Sequence, residues 1–108
     1  MKSAYVAGPY SGETKLEIAM NVERAAEQAA HLKKLGWAVF CPHLQSHYID
    51  ELLNDDKVLT YEDYLIEDLY WLKKCDAVFF LPGWENSYGA KLEHLTAKSE
   101  GKEIYYVD

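Results

Sequence analysis

The hydrophobic positions of this 108-residue chain change period in a regular order, from short apolar runs to long stretches at helical spacing. Ser3–Ala7 reads as a short strand that stops at Gly8-Pro9. Over residues 14–35, Leu16, Ala19, Met20, Ala26, Ala29, Ala30 and Leu32 recur at helical spacing, which predicts a long amphipathic helix closed by Gly36. Residues 37–41 form a second buried strand, stopped by Pro42. The pattern over 43–59 is poor, with one helical turn around 49–53 and then the breaker Asn54-Asp55-Asp56. Thr60 caps a second long helix running to about Lys74. Residues 77–81 are the strongest strand, broken by Pro82-Gly83. A third helix covers about 88–100, Gly101 ends it, and 103–107 is the last strand.

Buried strands alternating with helices imply a parallel sheet. The fold class is α/β, a Rossmann-like (flavodoxin-like) parallel sheet of four to five strands with helices on both faces. One domain accounts for residues 1–108, without an internal repeat or linker. Ligands of such sheets bind at the carboxyl ends of the strands, near the switch in strand order. Three loops are therefore expected to meet at the site: residues 8–13, 42–59 and 82–88.

Composition narrows the classes of function. With 49% hydrophobic and 27% charged residues, the chain has the profile of a soluble globular protein. No apolar run approaches bilayer length and no charged-then-apolar leader precedes the first strand, so a cytoplasmic protein is expected. Cys41 and Cys75 read as reduced core residues, and no metal-ligand spacing is present. The net charge of -7 argues against a nucleic-acid polymer as partner, yet local dipoles can still hold a small phosphate.

Candidate chemistry concentrates at Ser87-Tyr88-Gly89-Ala90-Lys91-Leu92-Glu93. Ser87 is placed to cap the third helix, where free N–H groups form a seat for an anion. Gly89 lets a ligand approach the backbone, and Glu93 lies one turn further along the same face. A capping serine and an early-turn glutamate are also ordinary stabilising choices. The first loop, Gly8-Pro9-Tyr10-Ser11-Gly12, is neither GxGxxG nor GxxxxGK[ST]. It suits phosphate or sugar hydroxyls, and equally a tight strand-to-helix turn. Within the second helix, Glu62, Asp63 and Glu67 make a solvated face, while Asp68 sits by Leu69 near the buried edge. Trp84 and Tyr88 can stack on a base or cap the sheet edge.

Tyr5-Val6-Ala7-Gly8-Pro9-Tyr10-Ser11-Gly12 resembles the first-strand signature of the nucleoside 2-deoxyribosyltransferases and 2'-deoxynucleoside 5'-phosphate N-hydrolases. Glu67-Asp68-Leu69 running into Cys75-Asp76-Ala77-Val78 is similar to their acid-bearing helix and following strand. Ser87 to Glu93 resembles their S-x-G-x-x-x-E helix, and Gly101-Lys102-Glu103-Ile104 their closing segment. The likeness spans nearly the whole chain with element order preserved.

The resemblance implies that Glu93 is a nucleophile toward C1' of a sugar, that Asp68 is its acid–base partner, and that Tyr5 holds Glu93. It also implies contacts to phosphate or sugar from Gly8, Ser11, Gly12, Ser87 and Gly89, with Tyr10 in the same loop and His43 near the base. The implied activity is an N-glycosidase that hydrolyses the base–sugar bond of (deoxy)nucleoside 5'-monophosphates, with no metal and no organic cofactor. Alternatives are a nucleoside 2-deoxyribosyltransferase and a nucleotide-sensing module without turnover. Ser87 stands where nucleoside transferases usually carry Asp, which favours a phosphorylated substrate. Pro9-Tyr10-Ser11 lacks the arginine of the animal hydrolases, and the chain stops at Asp108, short of the segment relatives extend into a neighbour's site. The second helix shows Tyr61, Tyr64, Leu65, Trp71 and Leu72 over more than one face, so a homodimer is expected.

Overall fold

The computed structural model describes residues 1–53 and 59–108. Four strands, β1 (Ser3–Ala7), β2 (Ala38–Phe40), β3 (Ala77–Phe80) and β4 (Glu103–Tyr106), pair in the order β2-β1-β3-β4, and every pairing is parallel. The helices are α1 (Lys15–Lys34), α2 (Pro42–Leu52), α3 (Tyr61–Lys74) and α4 (Tyr88–Ser99), with a 3₁₀ turn at Trp84–Asn86. This is the α/β architecture expected from the alternation, compatible with a single-domain Rossmann-like fold.

The central strands β1 and β3 are buried on both faces, which is why they are continuously apolar rather than alternating. Ala4 and Val6 point toward α1, where they meet Ala25, Ala29 and Leu32. Tyr5, Ala7, Val78 and Phe80 point to the opposite face, against Leu72 of α3 and Ala97 of α4. The chain leaves β1 toward β2 on one side and returns to β3 on the other. The reversal in strand order therefore falls between β1 and β3, above Gly8 and Leu81.

Local chemistry sets the helix limits. Thr14 accepts the Glu17 N–H at the start of α1, and Gly36, at φ 98°, takes the left-handed conformation that follows its end. Thr60 and Asp63 form a reciprocal capping box at α3, with bonds of 3.2 and 2.8 Å. The breaker at Asn54-Asp55-Asp56 lies outside the described residues.

Two expectations are corrected. Pro42 does not merely stop β2: it occupies the first position of α2, where its missing N–H costs nothing, so residues 43–52 are helical rather than irregular. The apolar stripe of α1 is shorter than its sequence pattern. The core cluster on this face of the sheet takes in Ala25, Ala29 and Leu32 of α1, whereas Leu16 and Met20 lie outside it and are exposed.

Candidate active site

A cavity of about 280 Å³ opens at the switch point, and most of the sequence-predicted residues line it. Gly8, Tyr10 and Ser11 come from the loop after β1, His43 from the start of α2, Asp68 from α3, and Ser87, Gly89 and Glu93 from α4. Tyr5 lies beneath the cavity in β1, fully buried, and its hydroxyl donates to Glu93 Oε2. Gly12 stands apart: it does not line the cavity, and the Glu17 side chain lies over it.

Helix α4 carries the centre of the site because its inward face is spaced by whole turns. Gly89, Glu93 and Ala97 are buried at i, i+4 and i+8. Ala97 fills the core while Glu93, one turn nearer the N-terminus, reaches the cavity floor. The Ser87 hydroxyl accepts from Ala90 N–H at 3.3 Å, as a capping serine should. Gly89 leaves room for the Tyr61 side chain, which would have to shift for any larger residue. A Cβ there would sit 2.8 Å from the Tyr61 hydroxyl, which lies directly over the glycine.

A carboxyl group buried this deeply resists ionisation. Glu93 is only 6% exposed, and burial pushes its carboxyl up to about 8. The Tyr5 hydrogen bond opposes the rise and the Asp68 charge adds to it. Asp68 is half-buried, and burial with the Glu67 charge beside it pushes its carboxyl up to about 7. Burial likewise drives the Tyr5 hydroxyl well above the usual phenol range, so it donates to Glu93 and does not ionise. Two neighbouring carboxyl groups titrating around neutrality can exchange the roles of charged nucleophile and proton donor. Perturbation of this kind marks functional sites more often than structural ones.

His43 Nε2 lies 2.9 Å from the Pro9 carbonyl oxygen, which can only accept, so the proton is on Nε2. Burial lowers its pKa and keeps the ring neutral. Its Nδ1 is then an acceptor, buried and without a partner among the described residues. Asn21 of α1 pins the first loop, donating to the Tyr10 carbonyl at 3.1 Å.

Residues 2–106 match a family described as a domain of unknown function, DUF4406. The chain belongs to the DUF4406 family. No curated protein matches it. The matched span contains every residue of the cavity, so the site belongs to the domain itself.

Sequence reasoning missed one wall of this DUF4406 cavity. Ser46 and Asp50 of α2 and Tyr61 and Tyr64 of α3 line it, and Tyr64 donates to Asp50 at 3.1 Å, tying the two helices across the opening. Tyr61 and Tyr64 were legible only as apolar width on α3. The signal that could have found them is their spacing: 61, 64, 65 and 68 form one helical face ending at the candidate acid. Trp84 does not reach the cavity. It stacks on His94 at 4.2 Å and packs against Phe80, and His94 bonds the Tyr106 hydroxyl at 2.6 Å instead of facing water.

Proposed function

We propose that this protein is an N-glycosidase that hydrolyses the base–sugar bond of (deoxy)nucleoside 5'-monophosphates. The observation that carries the reading is the buried Glu93, held by Tyr5 and facing a cavity that it shares with Asp68. The resemblance of the first-strand, acid-helix and S-x-G-x-x-x-E segments to nucleotide N-hydrolases and deoxyribosyltransferases supports it.

The chemistry follows from the two carboxyl groups. An N-glycosidic bond breaks through a state with positive charge on the sugar, which a carboxylate stabilises or traps. The reacting state has Asp68 protonated and Glu93 ionised, the reverse of their order of ionisation in the free protein, and in it Glu93 bonds to C1' as the C1'–N bond breaks. The electron pair leaves with the base, which takes a proton from Asp68. Asp68, now a carboxylate, removes a proton from water as the water oxygen displaces Glu93 from C1'. The sugar phosphate is released and both carboxyl groups return to their starting states. Tyr5 takes no part in bond making, since it fixes the attacking oxygen from below.

The start of α4, where Ser87 and Gly89 line the cavity, supports the phosphate, because the positive end of the helix dipole attracts an anion. No helix among the described residues is long and apolar enough to cross a membrane, and a cytoplasmic enzyme acting on nucleotides is part of the proposal. So is a homodimer. Leu44, Tyr48 and Leu52 recur exposed along α2, and Ile66 and Tyr70 along α3, and exposed apolar residues repeated along two helices support an interface.

The test is incubation with a panel of ribo- and deoxyribonucleoside 5'-monophosphates and detection of free base. Free base lost in Glu93→Gln and Glu93→Ala supports the hydrolase, with an expected fall of about 10³-fold or more. Product that needs an added acceptor base turns the assignment to transfer. Binding without product turns it to a sensor.

A further inference from the structure

The catalytic cavity shares a wall, formed by Tyr10, Ser11, Tyr61 and Ser87, with a second, wider cavity of about 560 Å³. The two differ in charge. Among the described residues, the inner cavity presents Asp50, Asp68 and Glu93 and no lysine or arginine. The outer cavity presents Arg24 and no acidic residue. Arg24 is the single arginine of a chain with net charge -7, and among the described residues it makes no ion pair and no hydrogen bond. Its place is not incidental to the loops. Asn21, three residues earlier on the same face of α1, is the residue that pins Tyr10 and Ser11.

We infer that Arg24 is the counter-charge for the anionic end of the ligand, which seats in the outer cavity while the reacting sugar and base enter the inner one. The inference rests on the proposed nucleotide substrate and adds the residue that selects its phosphate. Asp50, together with whichever of Asp68 and Glu93 is ionised, repels a phosphate dianion, so the inner cavity favours an anionic ligand whose charge is held outside. The same carboxyl groups favour the positive charge that develops at C1'. Guanidinium, with its planar fork of donors, is the side chain best suited to a phosphate at such a seat. The Ser11 hydroxyl and the Asn86 amide stand in the same cavity wall as further donors. In this arrangement the charge missing from the first loop is supplied by the helix that follows it.

The experiment is titration calorimetry at low salt on the full chain, for the wild type, Arg24→Gln and Arg24→Lys. The probes are inorganic phosphate, a 2'-deoxynucleoside 5'-monophosphate and the matching nucleoside. Arg24→Gln is expected to cut the preference for monophosphate over nucleoside by about 10-fold or more, and Arg24→Lys to restore part of it. An unchanged preference in Arg24→Gln overturns the inference, as does a wild type that binds no monophosphate. Base release is measured separately on the same proteins. Arg24-dependent phosphate binding without any base release removes the hydrolase and leaves the anion seat. Base release with the same kcat/KM in wild type and Arg24→Gln removes the seat and leaves the hydrolase.

Discussion

The Glu93 carboxyl ionises at about 8 in the folded protein against 4.5 for an ordinary glutamate, and this difference must appear in the stability of the fold. As pH rises past 4.5 the unfolded chain gives up this proton while the folded chain keeps it. Stability is therefore lost progressively between the two values and changes no further above about 8. The loss amounts to about 3 kcal/mol at pH 7 and about 5 kcal/mol above pH 8. Glu93→Gln has no proton to lose, and its side-chain oxygen still accepts from Tyr5. The buried amide adds an offset that does not vary with pH, so the pH dependence is the readout. Thermal unfolding followed by circular dichroism from pH 4 to 9 should show the variant gaining steadily on the wild type. At pH 7 the relative gain over pH 4 should be roughly 10–20 °C in Tm for a domain of this size. A wild type and variant that keep a constant difference in Tm across this range would refute the buried-acid argument.

Three further outcomes are expected. The kcat/KM profile should be bell-shaped and centred between pH 7 and 8, set by Asp68 at about 7 and Glu93 at about 8, and Tyr5→Phe should move the Glu93 limb upward by removing the bond that opposes its rise. Ser87→Asp should weaken binding of a nucleoside monophosphate by charge repulsion while sparing the nucleoside, and equal weakening of both in calorimetry would reject the phosphate's position beside α4. Light scattering across micromolar concentrations should return the mass of two chains, and a monomer mass with full activity rules out the homodimer.

The parts of the site that were legible in sequence are those where chemistry follows from spacing along one element. Gly89 and Glu93 share a face because four residues make one helical turn, and Ser87 announces the helix start by its capping side chain. Tyr5 is different. Nothing in Ser-Ala-Tyr-Val-Ala says which face of β1 its hydroxyl takes, and the family resemblance, not the periodicity, pointed it at Glu93. Helix α2 escaped reading because only Pro42 and His43 of it are buried, while Ser46 and Asp50 face the cavity and His47 packs on Tyr10. A helix that lines a polar cavity has no apolar stripe to betray it. Leu16 and Met20 failed for the opposite reason. Their periodicity is sound, but the core cluster reaches α1 at Ala25, Ala29 and Leu32 and leaves them exposed.

The bond between Tyr5 and Glu93 joins positions 88 residues apart, from the first strand to the last helix. In an all-parallel sheet neither partner can be brought near the other by a hairpin, because each strand pairing waits for a complete crossover. A chain emerging in order from its N-terminus therefore exposes the Tyr5 phenol early and the Glu93 carboxyl late. Until α4 docks, that carboxyl lies in water, titrates as any surface glutamate does and has no floor to be held against. The pairing of phenol and carboxyl is thus a property of the assembled fold alone.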